Sequence, residues 1–494
     1  MPRPVTDQTP TPSGQRPGAP WAKEGGDRLL SLQPLGLWDA LRREPWSFWF
    51  LCIYFFVEYV RPQSIHPALD VLPWGRATLA LTVLAFVLEG FKLRRLHLLD
   101  GLLGVLTGAW VLSMVFAVDP EWSLERAYVY VNWLLLYFLV TNIVTTRRRF
   151  FIFLAFFLLW SLKLSLHGAR LWVFSGFSVP SWGARGPQGW FENPGELGIQ
   201  MVVFFPMALM FVVGVRHHIK SWMFWGLMAL LPATAAITVL VTNSRGSQLA
   251  LAAIVLILVL QSRHRVRGLI IGALTLVLLW AVVPDAQRER FEAMGDDGTS
   301  ESRFYYWDHG MRITNEYPLF GIGYGNWGPY YNARHDLLDE VPPGIPSGEL
   351  PHNIFIEASA EMGYTGLFAL LAMMGGVFIV NRRTRQLARR VPEWGPFLRA
   401  TSFGLDAALI GFMISGFFVT VLYYPYLWTN LAFTAALFQI TQKSARRAQR
   451  RAPPARVEMR DPGPPPAVPG RVPRRPAPSP QGQIVHSRLP GRPG

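Results

Sequence analysis

The chain has 494 residues, of which 51% are hydrophobic and 16% are charged, and its formal net charge at pH 7 is +15. Soluble domains average roughly 25% charged residues, so this composition excludes an ordinary soluble enzyme. The excess of lysine and arginine lies in short clusters between apolar blocks and in a Pro-rich tail. That distribution is typical of loops and tails beside anionic lipids, and no nucleic-acid partner is expected.

The apolar residues form blocks about 17 to 24 residues long, which suits helices that cross about 30 Å of hydrocarbon. They lack the alternation of barrel strands, and only helices and closed barrels satisfy their backbone groups in lipid. The sequence therefore predicts an all-α polytopic membrane protein with about 12 transmembrane helices. The predicted spans are 46–60, 77–91, 98–118, 127–144, 150–166, 196–215, 221–241, 247–261, 268–284, 364–380, 401–422 and 425–441.

The distribution of basic residues among the loops predicts the orientation. Loops that follow even-numbered spans are basic, whereas loops that follow odd-numbered spans are poor in lysine and arginine. The positive-inside rule then places the basic loops and both chain ends in the cytoplasm of a bacterium, with the protein in the inner membrane. The basic loops are 92–95, 147–149, 216–220, 263–267 and 382–390.

The spans also predict the domain organisation. One connection, between helices 9 and 10, is much longer than the others, and long loops are usually functional or disordered. It contains many aromatic residues that can bury surface, which favours a folded periplasmic loop. The predicted segments are a disordered cytoplasmic N-terminal segment (1–44), helices 1–9 (45–284), the periplasmic catalytic loop (285–361), helices 10–12 (362–442) and a disordered basic cytoplasmic tail (443–494).

Four polar residues stand out on the predicted periplasmic side of the membrane. Arginines at the outer membrane edge are less expected than inner ones, and a guanidinium group is suited to bidentate recognition of phosphate oxygens. Histidine is the side chain that titrates near neutral pH. The four residues are Arg185, Arg245, Arg303 and His352.

Each of the four also has an ordinary interpretation. Arg245 could extend to the membrane interface, and Arg303 could pair with a neighbouring carboxylate in a surface loop. Arg185 could be a solvated loop charge, and His352 could simply pack beside Asn353, a plausible helix N-cap. The combination of these residues, rather than any one of them, indicates a functional site.

The longest motifs lie in the large predicted loop and at the start of span 10. An arginine precedes a tryptophan and a Pro-Leu-x-Gly-x-Gly turn, followed by His-Asn and Glu-x-Gly-x-x-Gly, at 303–307, 315–326 and 351–366. This pattern resembles the O-antigen ligase and O-antigen polymerase superfamily. The resemblance covers roughly residues 45 to 440, and the block from His-Asn to Gly-x-x-Gly is its most specific part.

Shorter segments add to this resemblance. Ser244–Gly246 and Asn193-Pro194 resemble two further marks of the superfamily, although many ligases read Asn-Pro-Asn where this chain has Gly195. Residues 59–63, Tyr-Val-Arg-Pro-Gln, resemble a narrower branch, the O-glycosylation ligases that accompany exosortase systems.

The resemblance implies transfer of a glycan from undecaprenyl diphosphate to an acceptor hydroxyl on the periplasmic face, without a cofactor. The leaving diphosphate needs preorganised positive charge, so Arg245, Arg303 and Arg185 are its predicted ligands. His352 is the predicted general base, and direct attack would invert the anomeric centre. If Asn353 caps a helix, the positive helix end would disfavour the imidazolium form.

Asn353, Glu357 and Lys163 are predicted to support this site, Lys163 because charges inside membrane spans are usually functional. Asp406 is a second such charge, and its partner is open. The outer loops contain no Asp-x-Asp and no group of histidines or cysteines, so the sequence predicts no metal site.

Several alternatives remain open at this point. A polysaccharide polymerase would use a second lipid-linked glycan as acceptor, and the acceptor of a ligase could be lipid, polysaccharide or protein. A transporter or flippase of lipid-linked anions would also place arginines in a polar cavity, but the paired broken helices typical of such folds are not found. A membrane scaffold would not need the outer residues. The identity of the glycan and the oligomeric state are not indicated.

Overall fold

The computed structural model describes residues 29–90, 93–179, 182–261, 265–267, 270, 298–334 and 348–451. The chain divides into two compact units, Met1–Gln449 and Arg450–Gly494, and the features discussed below belong to the first, apart from the last two residues of the final helix. Most of the predicted ninth span, residues 1–28 of the N-terminal segment and the tail beyond Arg451 lie outside the described residues.

Regular structure in the described ranges is helical throughout, which confirms the predicted fold class there. The helices are α1 (Pro34–Leu41), α2 (Trp46–Val60), α3 (Pro62–Ile65), α4 (Trp74–Leu88), α5 (Leu98–Val115), α6 (Pro120–Ile143), α7 (Arg147–Phe174), α8 (Pro194–Val215), α9 (Ser221–Val241), α10 (Arg245–Gln261), α11 (Gly298–Glu316), α12 (Trp327–Ala333), α13 (Ile354–Ala388), α14 (Gly395–Gly416) and α15 (Pro425–Arg451).

Within the described residues, six helices are long and apolar enough to cross a membrane: α5, α7, α8, α9, α13 and α14. The chain is therefore a multi-pass membrane protein, and the count of about twelve crossings stays a prediction. The last helix, α15, continues to Arg451, beyond the predicted end of span 12 and into the start of the predicted tail.

Side chains in the loops cap the first turns of the helices that follow them. Asp119 accepts a hydrogen bond from the Trp122 N–H at 3.0 Å, and Pro120 occupies the first turn of α6. At α7, the Thr146 hydroxyl accepts from the Arg149 N–H at 3.2 Å. These side chains satisfy backbone donors that a helix leaves without internal partners, so the loops between the apolar blocks also set where the helices begin.

Small residues allow close packing between α8 and α14. A Cβ atom added to Gly411 would lie 2.4 Å from the Val202 side chain, and one added to Gly404 would lie 3.0 Å from the Pro206 carbonyl oxygen. Close approach through small residues is the usual way in which helices associate in lipid, where burial of apolar surface gives little driving force. Helix α8 begins after loop 175–193, and helix α14 ends before loop 417–424.

Short connections make successive helices antiparallel, so alternate loops gather at the same end. Loops 61–73, 116–119, 175–193, 242–244 and 417–424 lie at one end, which we call the motif end. The opposite, basic end contains buried Glu44, which pairs with Arg148 at 2.5 Å and with Arg149 at 2.5 Å.

Asp406 of α14 is hydrogen-bonded to two side chains of α13. Its carboxylate accepts hydrogen bonds from Arg385 at 2.5 Å and from Asn381 at 2.8 Å. This half-buried pair joins two helices, and removal of either side chain would leave the other charge without its ion-pair partner. Asp406 therefore has a structural role in this part of the fold.

Candidate functional site

Helix α13 is interrupted at Gly363, where φ is +66° and ψ is −172°. The interruption leaves the carbonyl oxygens of Ala360 and Glu361 open to other donors, and they accept from Ile322 N–H at 2.9 Å and Gly323 N–H at 3.0 Å. Tyr364 N–H, which would donate to Ala360 in an unbroken helix, donates instead to Pro318 at 2.8 Å. The Pro-Leu-x-Gly-x-Gly turn is thus hydrogen-bonded to the Glu-x-Gly segment.

The glycines of these two motifs are required by close approach of the backbone. Gly321 has a φ of +70°, and a Cβ atom there would lie 2.5 Å from the carbonyl oxygen of Ala360. A Cβ atom on Gly363 would lie 2.5 Å from the carbonyl group of Leu319. Neither backbone could approach the other this closely with side chains at these two positions.

The loop at 417–424, between α14 and α15, joins the motifs to one another, and we call it the linking loop. Its Thr420 hydroxyl accepts the His352 N–H at 2.9 Å. The Tyr423 hydroxyl donates to buried Glu361 at 2.8 Å, and burial together with this carboxylate raises the pKa of the Tyr423 phenol well above its usual value. The phenol is therefore protonated and able to donate at neutral pH.

Glu357, one helical turn before Glu361 on α13, also contacts the linking loop. It is buried, and its carboxylate accepts the N–H of Leu422 at 3.3 Å. Glu357, which the sequence predicts to support the site, thus connects the start of α13 to the linking loop.

The linking loop also contacts the motifs from the first half of the chain. A Cβ atom on Gly195 would lie 3.3 Å from the Val419 side chain, and one on Gly246 would lie 2.9 Å from the Phe418 ring. Arg245 is the first residue of α10 and directly precedes Gly246. The Asn-Pro and Ser-Arg-Gly segments thus lie against consecutive residues of one loop, although they are about fifty positions apart.

Glu196 connects the start of α8 to this arrangement. Its carboxylate accepts from the Asn193 backbone N–H at 3.0 Å and from the Asn193 side chain at 3.1 Å, which forms a capping box. The same carboxylate accepts from the Tyr424 hydroxyl at 2.9 Å. The departure at Gly195 from the Asn-Pro-Asn pattern leaves this cap intact, because the cap uses Asn193.

His352 has a left-handed backbone conformation, with φ at +48°, that non-glycine residues seldom adopt. Its ring Nε2 lies 3.8 Å from a carboxylate oxygen of Glu349. Burial and the nearby Arg303 guanidinium lower the pKa of His352 below its usual 6.5, and Glu349 opposes this shift. The neutral imidazole, which can accept a proton, is therefore favoured near pH 7.

Asn353 caps α13 as predicted. Its side-chain oxygen accepts from the N–H groups of Phe355 at 2.9 Å and Ile356 at 3.2 Å. His352 directly precedes this cap, so the start of α13 and the Thr420 hydroxyl together hold its backbone in place. Burial and Arg303 lower the His352 pKa. The sequence instead predicts that the positive end of the helix disfavours the imidazolium form.

Arg303 is positioned by the following helical turn. Trp307, four residues further along α11, donates its indole N–H to the Pro351 carbonyl at 2.8 Å and packs its ring against Phe417 at 5.0 Å. Residues four apart lie on the same helix face, so this anchor turns Arg303 towards His352. The motif spacing from arginine to tryptophan is thereby explained.

Two predicted residues lie further from this cluster. Arg185 is exposed, and its carbonyl oxygen lies 3.1 Å from the His167 ring nitrogen, while the neighbouring Ala184 N–H donates to the Val241 carbonyl at 2.8 Å. Lys163 donates to the carbonyl of Val60 at 2.6 Å, at the C-terminal end of α2. The structure thus brings Arg245, Arg303 and His352 near the linking loop. Arg185 instead lies beside the end of α9, and Lys163 contacts the end of α2.

The sequence did not single out the linking loop, because residues to 422 were included in a predicted span. The available signal was polar Thr420 beside a Tyr-Tyr-Pro run, which is unusual at the end of an apolar block. Glu196 could have been found from the capping-box spacing of Asn193 and Glu196. In the described parts of the chain, no group of three or more His, Cys, Asp or Glu side chains is suited to a metal ion, and metal independence stays a prediction.

Comparisons with known proteins find similarity in the part of the chain that contains these motifs. Residues 230–371 match the family model described as O-antigen ligase, and this range includes the turn, the His-Asn pair and the break in α13. The chain is 32% identical over 102 residues to the exopolysaccharide production protein ExoQ of Rhizobium meliloti (strain 1021). That match covers 20% of this chain and 23% of the relative, so under a quarter of the relative's length is spanned. The motifs and these matches support a relationship of the chain to the O-antigen ligase superfamily.

Proposed function

We propose that the protein is an inverting glycosyltransferase that moves a glycan from undecaprenyl diphosphate to an acceptor hydroxyl at the periplasmic face of the inner membrane. The observation that carries this proposal is the position of the Arg303 guanidinium group near the His352 imidazole, where burial and that positive charge favour the neutral ring. Transfer from a diphosphate carrier needs both a proton acceptor and stabilisation of a leaving anion.

The proposed step forms one bond and breaks one bond. The acceptor oxygen attacks the anomeric carbon while the bond from that carbon to the diphosphate oxygen breaks. The acceptor proton passes to the His352 ring, and undecaprenyl diphosphate leaves with the bonding electron pair. Arg303 and Arg245 would bind the diphosphate oxygens, with Arg185 as a further ligand from the adjoining loop.

Two features of the arrangement support this division of roles. His352 is only partly buried, so its imidazole is accessible to an acceptor, and its pKa lies below that of a free histidine. Arg303 favours the neutral imidazole before reaction and would stabilise negative charge on the leaving group. The resulting imidazolium could return its proton to solvent, and no metal ion is needed in this scheme.

The decisive experiment measures donor binding and turnover in one nanodisc preparation. We expect His352→Ala to lower turnover roughly 10²- to 10⁴-fold with little change in donor binding. Arg303→Ala and Arg245→Ala should each remove a contact worth about 1.5–3 kcal/mol, so donor affinity should also fall. Lysine at either position should restore only part of the loss, because its ammonium group lacks the planar geometry with which a guanidinium group donates two parallel hydrogen bonds.

The chain offers matched controls at exposed positions. His66 lies in the loop after α3, and Arg312 lies on α11 with 73% of its side chain exposed. Alanine at these positions should leave donor binding and turnover unchanged. Full activity in folded His352→Ala would contradict the assignment of the base. Movement of the intact lipid-linked donor across the bilayer without bond cleavage would indicate a transporter.

A polymerase is the second candidate, supported by the similarity to a protein named for exopolysaccharide production. The same chemistry would then join one lipid-linked glycan to another. Product length separates the two activities, because a polymerase gives a ladder of repeats from donor alone, whereas a ligase requires a separate acceptor.

A further inference from the structure

A cavity of about 520 Å³ opens at the motif end beside the linking loop. Its walls come from α2, the loop at 61–73, α4, α6 and the loop at 175–193, and Tyr424 of the linking loop completes them. Ligand-binding cavities typically measure about 300–1,000 Å³, so this one has the size of a small-molecule site. His352, Arg303 and Arg245 do not line it, and it is therefore separate from the proposed reaction centre.

Aromatic side chains form much of the cavity wall. Trp190 packs against Tyr424 with ring centroids 5.0 Å apart and against Trp133 at 5.6 Å. The indole N–H of Trp190 donates to Glu58 at 2.8 Å, and that of Trp133 donates to the Tyr423 carbonyl at 2.7 Å. The rings are thus held rigidly. Aromatic faces carry partial negative charge and attract the weakly positive C–H groups that sugar rings present.

Polar groups in the same cavity are of the kind that binds hydroxyl groups. Gln63 and Asn132 line it, and an amide side chain both donates and accepts hydrogen bonds. The Gln63 side-chain oxygen is buried and has no hydrogen-bond partner among the described residues. Because an unsatisfied buried acceptor is unfavourable, a ligand hydroxyl donating to Gln63 would be stabilised.

The charges in the wall are balanced. Arg61 and Arg76 line the cavity together with Glu58 and Asp70. Arg76 also lies over the Tyr128 ring, 5.0 Å from its centroid. The wall therefore offers a diphosphate no net positive charge, whereas a neutral polyhydroxyl compound would find donors, acceptors and aromatic surface.

The cavity is close to the proposed reaction centre. Tyr424 lines the cavity, and Thr420 of the same loop is hydrogen-bonded to His352. Four residues of extended chain span at most about 14 Å, so Tyr424 cannot lie further than this from Thr420. We propose, on the basis of the proposed function, that this cavity binds a saccharide segment of the glycan during transfer. The segment belongs either to the donor or to the acceptor.

Binding without turnover provides the first test. The probe is the oligosaccharide released by mild acid from the lipid-linked glycans of the source cells, titrated calorimetrically into the full chain in nanodiscs. Tyr128→Ala and Asn132→Ala should each weaken binding about 3- to 10-fold, the effect of one lost contact. Both side chains are at least partly exposed, and unchanged thermal unfolding of the variants would show that the fold is retained.

The control variant is Trp182→Ala, an aromatic residue that is 70% exposed and does not line the cavity. It should bind the oligosaccharide with wild-type affinity, and inorganic pyrophosphate should not compete. Wild-type affinity in folded Tyr128→Ala and Asn132→Ala would overturn the proposal. Displacement of the oligosaccharide by pyrophosphate would do the same, since it would indicate an anion site.

Transfer kinetics then distinguish the two sources of the saccharide. A rise in the KM for donor alone would assign the cavity to the donor glycan, and a rise in the KM for acceptor alone would assign it to the acceptor. Unchanged values for both in Tyr128→Ala would contradict a role in transfer. If wild-type protein binds the oligosaccharide but catalyses no transfer, the proposed function fails while the saccharide site remains.

Discussion

Substitution of Gly363 by alanine tests how the motifs are joined. The residue has φ at +66° and ψ at −172°, a region that is almost restricted to glycine. An added methyl group would lie 2.5 Å from the carbonyl carbon and oxygen of Leu319 and 2.7 Å from the Phe320 nitrogen. These are backbone atoms of the Pro-Leu-x-Gly-x-Gly turn, which cannot rotate away as a side chain could.

The cost can be worked from these two terms. Backbone strain contributes about 1–3 kcal/mol, and overlap in a packed site contributes about 1–3 kcal/mol more, which gives about 2–6 kcal/mol. Relief of the strain by closing α13 into a regular helix would remove the acceptors used by Ile322 and Gly323. Either response separates the turn from α13 and disturbs the position of Glu361.

Gly375 is the matched control, since it lies further along the same helix and a Cβ atom there would meet nothing within 4 Å. Alanine at Gly375 should be neutral or stabilising by up to about 1 kcal/mol, the difference in helix propensity. Thermal unfolding of both variants in one detergent, followed by glycan transfer, measures the effect. Equal unfolding temperatures and full transfer in both would refute the reasoning.

Three further predictions concern other parts of the account. Asn353→Ala should destabilise the protein by about 1 kcal/mol through loss of the α13 cap, measured by thermal unfolding; an unchanged midpoint would show that the cap contributes nothing. After Cys52→Ser, a cysteine at Gly348 should react with impermeant reagents from outside intact cells and one at Arg148 should not; the reverse labelling would invert the topology. Transfer should persist in excess EDTA, and a loss that Mg²⁺ restores would contradict a metal-independent mechanism.

Much of the helical architecture could be predicted from the sequence, because apolar length and loop charge are local properties. Span 1 and helix α2 share the bounds 46 and 60, and the starts of α8 and α10 fall within two residues of their predicted spans. Asn353 was recognised as a cap for the same reason, since capping chemistry involves neighbouring residues. The linking loop was missed because its partners lie far away in sequence, as between Thr420 and His352.

The candidate site was predictable in its residue types but not in its connections. Arg303 and His352 belong to separate motifs, and only the anchor from Trp307 to Pro351 explains how they approach. The role of Lys163 could not be read from its charge, because its partner is a backbone carbonyl at Val60 that carries no sequence signal.

The central claim is that burial and Arg303 together favour the neutral form of His352 so that it can act as the base, and the pH dependence of kcat/KM tests it most directly. A base must be deprotonated, so activity should fall as the pH drops through its pKa. Because burial and Arg303 lower the pKa of His352, the acidic limb of the wild-type enzyme should lie below pH 6.5. Arg303→Gln should move this limb to higher pH, and Arg303→Lys should leave it nearer to the wild-type position. An acidic limb that stays at the same pH in Arg303→Gln would contradict the claim.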